Sequence, residues 1–441
     1  MTFTHLFATR NLTVTVDTMG ETGARRAEGR EFVAIVTALM ALTAVAVDLM
    51  IPTFPDMRRE FGMAADSARI GWVVTAFFLG LALGPWLYGP ASDRYGRRRP
   101  LVAGLCLYTL GAIVSALAPS FAWLIVARFI WGLGAAGSRT LSLAMIRDRY
   151  EGESMARLMS MIMAVFLLVP VVAPSLGAGL NAIAPWRIVF WLPAGVAGLL
   201  LVWSRRLPET HGPERRRPFT WSALRAATRV VFTNRQSVCF TAAITLMMGV
   251  MTGYLASSEL ILDGVYDRAS IFPFFFGANA IVFSLGSVAS ARLVGRLGIA
   301  GLVRRLAVGA VGTSVLLSAI ALATHGRPNF WLFAVSLALV LPLIQAMIPN
   351  CNTGAMLPVA QVAGTAAAVI ATITTAGGAL LGNALGAGFD GTTRPFSLGA
   401  TTLLVLAAVL IWLATGGRRP AVEGFGRAEA VTKAVLIDHV G

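Results

Sequence analysis

Gly89-Pro-Ala-Ser-Asp93-Arg94-Tyr-Gly96-Arg97-Arg98 lies between two apolar runs, and a weaker copy, Ala291-Arg292-Leu-Val-Gly295-Arg296-Leu-Gly298, lies between two others. Aligning Gly96 with Gly298 sets the copies 202 residues apart, close to half of the 441-residue chain. A repeat of that period divides the chain into two similar halves. Working outward from the two copies, apolar runs recur near 32–54, 70–90, 101–119, 121–145, 156–183, 186–204, 237–262, 270–294, 301–323, 330–350, 361–388 and 396–416. Each is long enough to cross a hydrocarbon layer of roughly 30 Å as a helix. The expected fold is therefore an all-α membrane protein of twelve transmembrane helices in two pseudo-symmetric six-helix lobes. Six-span repeats of this kind place a substrate site between the halves.

The composition agrees. Hydrophobic residues make up 56% of the chain and charged residues 13%, with a mean hydropathy of +0.74, a balance a soluble domain does not reach. The net charge of +15 would point to nucleic acid in a soluble protein. Here, with both termini placed inside, 27 of the 36 Lys and Arg fall in cytoplasmic segments, 7 in outer segments and 2 within spans. That is the positive-inside bias, and it needs no nucleic acid. The expected organisation is a cytoplasmic tail (1–31), an N-terminal lobe (32–204), a basic cytoplasmic linker (205–236), a C-terminal lobe (237–416) and a cytoplasmic tail (417–441). The first span is expected to act as its own signal, with Met19 an alternative start.

Two acids of the 21 fall within spans: Asp48 near the outer end of the first and Glu259 near the outer end of the seventh. A carboxylate in a bilayer costs about 2.5–3.5 kcal/mol on the gentlest scale, so Asp48 reads as a proton or cation site. Glu259 is either a second such site facing Asp48 or an interfacial residue meeting water beside Asp263. His5, His211, His325 and His439 sit in tails and loops, and Cys106, Cys239 and Cys351 lack ligand spacing, so no metal site is expected. No nucleophile with a base and no phosphate loop is visible, which argues against an enzyme.

In the 89–98 loop, Gly89 and Gly96 permit a tight reversal. Asp93 can cap the next helix or pair with an Arg across the interface between halves, a latch made in one conformation only. The second copy has no acid at Gly295, so a symmetric latch is not expected. Span four carries Arg128-Phe-Ile-Trp131-Gly132-Leu-Gly134-Ala-Ala-Gly137. Its small residues let helices approach closely, and its buried Arg128 demands an acidic or carbonyl partner, for which Asp48 is the expected one. Trp131 adds aromatic surface. Arg139 follows Arg128 by eleven residues on the same helix face, about 16 Å further along. It either lines the cavity, favouring neutral, zwitterionic or anionic substrates, or snorkels to the inner boundary. Span five contains Pro170, Pro174, Gly177 and Gly179, a pattern that allows a bend and close packing. Met251, Tyr254, Asn279 and Gln345, with nearby Met and Phe residues, are candidates to line a greasy pocket.

The loop motif, the span-four Arg and the span-five Pro/Gly pattern together resemble the major facilitator superfamily, and within it the Bcr/CflA group of bacterial drug exporters. The resemblance covers about 32–416. It implies a monomeric inner-membrane antiporter, without cofactor, that exchanges external protons for small hydrophobic or amphipathic compounds such as chloramphenicol- or bicyclomycin-like antibiotics. Its partners would be that substrate, protons and membrane lipids. It further implies that Asp48 and Arg128 couple the proton, that Gly89, Asp93, Arg94, Gly96, Arg97 and Arg98 form the latch, and that spans one and four line the cavity. Trp131 stands where many relatives carry Gln. An importer or facilitator on the same fold, or a membrane sensor that does not transport, are the alternatives.

Overall fold

A computed structural model describes residues 10–212, 214 and 221–416. The expected 417–441 tail, His5, His439 and Arg215 to Arg217 of the linker lie outside the described residues. Every regular element among the described residues is helical. The first lobe comprises α1 (Arg10–Asp48), α2 (Phe54–Glu60), α3 (Trp72–Tyr95), α4 (Arg98–Ala116), α5 (Phe121–Arg149), α6 (Gly152–Ile183) and α7 (Ile188–Trp203). After a connecting helix, α8 (Trp221–Thr233), the second comprises α9 (Arg235–Gly264), α10 (Phe272–Ala323), α11 (Phe330–Met356), α12 (Ala363–Ala387) and α13 (Arg394–Thr415). α1 starts at Arg10, so much of the stretch expected to be a tail is helical.

The twelve crossings are present, though not as twelve separate helices. α10 runs for 52 residues, more than twice the thickness of a bilayer at about 1.5 Å per residue. It breaks at Gly298, whose φ of 66° and ψ of 164° are not helical. Spans eight and nine are its two arms. Gly96 holds a φ of 86° at the equivalent place between α3 and α4. The two glycines aligned from sequence thus share the left-handed backbone that residues with a side chain avoid. Gly89, by contrast, is an ordinary residue inside α3 with open space around it. The reversal after span two rests on Gly96 alone.

The basic linker is more ordered than its polar composition implies. α8 packs against α9, α12 and the 357–362 turn, with Val231 buried and Arg225 and Arg229 exposed. The face of the molecule carrying this helix and both repeat loops is called the linker face below.

The lobes meet along two seams, α3 against α12 and α6 against α10, and at the face opposite the linker, where turns 51–53 and 68–71 reach α9. Close approach within the first lobe follows from missing side chains. A methyl group on Gly132 of α5 would fall 1.9 Å from the Phe77 carbonyl oxygen of α3. All interlobe hydrogen bonds among the described residues lie either between Arg58 and Glu259 or around Thr372, which accepts from Trp86 Nε1 at 2.5 Å and donates to the Ala82 carbonyl at 2.7 Å. Toward the linker face, α5 packs on α1, α3 and α4, and α11 on α9, α10 and α12, each within its own lobe. At the opposite face the lobes are joined by Arg58 and Glu259, while among the described residues no hydrogen bond joins them at the linker face.

Candidate functional site

Asp48 is the last residue of α1 and only 6% exposed. No hydrogen bond or ion pair reaches it among the described residues. Its charge does lie within electrostatic reach of the Tyr254 hydroxyl on α9, in the other lobe. Tyr254 is itself buried, stacked on Phe276 with ring centroids 5.6 Å apart, and its hydroxyl reaches toward the Asn279 side chain without an aligned hydrogen bond. Asn279 stands nearby in sequence to that stack. Its amide nitrogen donates to the Phe275 carbonyl at 2.9 Å while its Oδ1 is buried without a donor. Asp48, with no bonded partner among the described residues, and the neighbouring Tyr254 and Asn279 side chains are thus buried where the lobes meet. Met251 and Gln345, on α9 and α11, are half-buried.

Arg128 does not pair with Asp48. Its Nε donates to the Val73 carbonyl and one terminal nitrogen to the Ala46 carbonyl, both at 3.0 Å, and the guanidinium lies 4.6 Å from the centre of the Phe77 ring and 4.7 Å from that of Trp131. Carbonyl dipoles and ring faces take the place of a counter-ion. The expected Asp48 pair is corrected accordingly: α1 presents the carbonyl of Ala46, two residues before Asp48, to the guanidinium. Arg128 ties α1, α3 and α5 of one lobe together.

Trp131 is likewise not pocket surface. It is fully enclosed, edge-on to Tyr108 at 5.4 Å, Phe190 at 5.6 Å and Phe77 at 6.2 Å, so it fills the lobe's core. Tyr108 in turn donates to the Leu42 carbonyl of α1 at 2.9 Å.

Glu259 is neither water-facing nor turned to Asp48. It is 3% exposed and receives two hydrogen bonds from Arg58, at 2.5 and 3.1 Å. Arg58 sits on α2 just past the first span, is 2% exposed, and also donates from Nε to the Ser67 carbonyl at 3.2 Å. This forked pair between lobes closes the face opposite the linker. Sequence reasoning counted Arg58 only as a loop charge.

Among the described residues, the 89–98 motif makes no bond to the second lobe. Arg97 donates to Asp93 and Asp148, both at 2.8 Å, and to Ser92 Oγ at 2.6 Å. Burial works against the Arg97 charge, but the bonds to Asp148 and Asp93 outweigh it and raise its pKa above the ordinary arginine value. Glu209, beyond α7, caps α4 by accepting from the backbone nitrogens of Arg97 at 2.7 Å and Arg98 at 3.2 Å. Arg98 also donates to the Arg205 carbonyl at 2.6 Å, and Arg94 stacks over Tyr95. The partner of Asp93 is therefore its own helix-end arginine rather than one across the interface. Asp148 and Glu209 had no local signal, since each stands in an unremarkable charged stretch.

Pro170 and Pro174 lie inside α6, which stays helical through both. Gly177 has a packing reason: a methyl there would fall 2.0 Å from the Leu49 carbonyl, directly after Asp48. Gly179 faces open space. Arg139 is exposed and makes no bond or ion pair among the described residues.

A chain of twelve crossings in two lobes, joined at one face by a buried ion pair and with a buried acid at the seam, has the build of a transporter. Residues 36–382 match the profile of the Major Facilitator Superfamily, and the chain belongs to that family. It is a transporter-family membrane protein, not an enzyme. A bicyclomycin resistance protein homolog of Haemophilus influenzae is 24% identical over 382 residues, covering 86% of this chain and 94% of that one. The multidrug transporter MdfA of Yersinia pestis is 28% identical over 271 residues, covering 59% of this chain and 63% of its own. Among solved structures, a D-xylose-proton symporter superposes with a TM-score of 0.68 at 17% identity, covering 86% of this chain and 97% of the other, a likeness of fold.

Proposed function

We propose that the protein is a monomeric proton-coupled antiporter that exports small hydrophobic or amphipathic compounds, of the chloramphenicol- or bicyclomycin-like class, across the bacterial inner membrane. The linker face is cytoplasmic in this reading, in keeping with the side on which most Lys and Arg fall. The observation that carries it is Asp48: a carboxylate buried at the lobe boundary with no counter-ion, in a family of transporters whose relatives include named multidrug and bicyclomycin resistance proteins.

The cycle follows from what each group can and cannot do. With the Arg58–Glu259 pair closed, Asp48 is shielded from the outside and substrate enters from the cytoplasmic opening. When the lobes rock, the pair parts, Asp48 meets external water, takes a proton and substrate leaves. The neutral acid then crosses back and gives its proton to the cytoplasm. Each charge moved through 100 mV is worth about 2.3 kcal/mol, enough for a gradient of around fifty-fold. Arg128 serves here as the fixed frame that holds α1 beside α3 and α5, not as the partner of Asp48.

The test is chloramphenicol movement in proteoliposomes under an imposed pH gradient, wild type against Asp48→Asn. Accumulation against the proton flow in the wild type, absent in the variant, is expected. Movement in the same direction as the proton would make the protein an importer, and unchanged accumulation in the variant would remove Asp48 from coupling.

A further inference from the structure

Arg139 is a cation within the span, with no counter-ion among the described residues. Eleven residues after Arg128, it is only about 20° around the helix from it, at 100° per residue. Arg128 points into the protein, bonded to carbonyls of α1 and α3. Arg139 shares that inward side and is nonetheless exposed, while its neighbours Ala135, Ala136, Gly137, Ser138, Leu141 and Ser142 are buried. An exposed residue on an inward side faces an internal opening, not lipid. The opening is the gap toward the linker face, where α5 packs only within its own lobe.

Snorkelling does not account for the residue. The expected end of the span at residue 145 is six residues further along α5, about 9 Å, which is longer than an extended arginine side chain. Nor does a carboxylate answer it: among the described residues no acid forms an ion pair or hydrogen bond with Arg139. Of the acids at the linker end of this lobe, Asp93 and Asp148 are committed to Arg97 and Glu209 to the α4 backbone. One turn further along α5, the Ser142 hydroxyl is buried and has no partner. A lone guanidinium in a low-dielectric opening, with a spare hydroxyl beside it, is built to receive an anionic oxygen pair.

We infer that Arg139 binds the anionic head of the cargo, and that the transported class includes amphipathic compounds with an apolar body and a single carboxylate. This rests on the export reading above and narrows its substrate class. The guanidinium holds the carboxylate in the cytoplasm-open state, about 16 Å along α5 from Arg128.

The experiment measures binding without any gradient, so it does not depend on proton coupling. Purified protein in uncharged detergent is titrated with 2-naphthoate and with its neutral counterpart 2-naphthamide by equilibrium dialysis. Wild type is expected to bind the carboxylate at least ten-fold more tightly than the amide. Arg139→Gln should abolish that preference and leave amide binding unchanged, and Arg139→Lys should retain most of it. Equal affinities in the wild type, or a preference that survives Arg139→Gln, overturn the inference. Displacement of naphthoate by phosphatidylglycerol at a few mole per cent of the micelle also overturns it, because the site would then belong to a lipid headgroup. Thermal unfolding of both variants checks that they fold. Chloramphenicol accumulation under a pH gradient, measured in parallel, separates failure of this inference from failure of the export reading.

Discussion

Arg58 and Arg128 are both all but shut off from solvent, and they keep their charges in opposite ways. Arg58 has a carboxylate, Glu259, 201 residues away and in the other lobe. Arg128 has two backbone carbonyls and two aromatic rings, all in its own lobe. A forked ion pair across a boundary holds only while the two sides touch, so it stores the choice between closed and open. Carbonyls and rings within one rigid unit make no such choice. In the proposed cycle the first arginine belongs to movement and the second to the frame.

That contrast can be broken most directly at Glu259. Glu259→Gln leaves a buried guanidinium without its counter-charge, a loss of about 3–5 kcal/mol for the closed face. Distances between spin labels at positions 66 and 390, in a background with the three cysteines replaced, should lengthen; an unchanged distribution would mean the pair does not hold the lobes. Next in size, Arg58→Met with Glu259→Met replaces the pair by apolar packing. Such a swap is neutral or stabilising by about 1–4 kcal/mol, so the label distances should stay short while transport falls. Arg128→Lys loses the directed fork and costs about 1–3 kcal/mol through unsatisfied carbonyls. It should lower the unfolding temperature with no change in label distance, and a lengthened distance would move Arg128 into the gate. Gly298→Ala strains only a positive-φ backbone in open space, for about 1–3 kcal/mol. It sharpens the contrast by showing what a purely local cost looks like: a small thermal shift and unaltered distances.

How much was legible beforehand follows from the kind of contact involved. Spans are long one-dimensional signals, and so the lobes, their boundary and the repeat could be read from residue order. Gly96 and Gly298 were found by matching text, and both prove to hold the same backbone. Arg139 could be placed on the face of Arg128 by helical period alone, yet whether that face met lipid or an opening needed the packing of α5. Arg58 and Glu259 were each visible as charges, but no local pattern joins residues so far apart. The partner of Arg128 was missed for another reason. Every residue carries a carbonyl, so a guanidinium bound by backbone leaves no mark in the side-chain text, and the lone acid Asp48 attracted the assignment instead. Gly89 misled through its motif, since a glycine within a helix and one at a turn are written alike.

Thr372 carries a consequence of its own. It stands partway along α12, bonded to both Trp86 and Ala82 of α3, away from either end of the seam. When one mouth of the molecule widens and the other narrows, points at mid-depth travel least. A contact placed there can persist through the whole swing, so the two halves turn about it as about a fulcrum instead of coming apart. Each ångström gained at one mouth is then matched by one surrendered at the other, and the membrane is never crossed by an open channel.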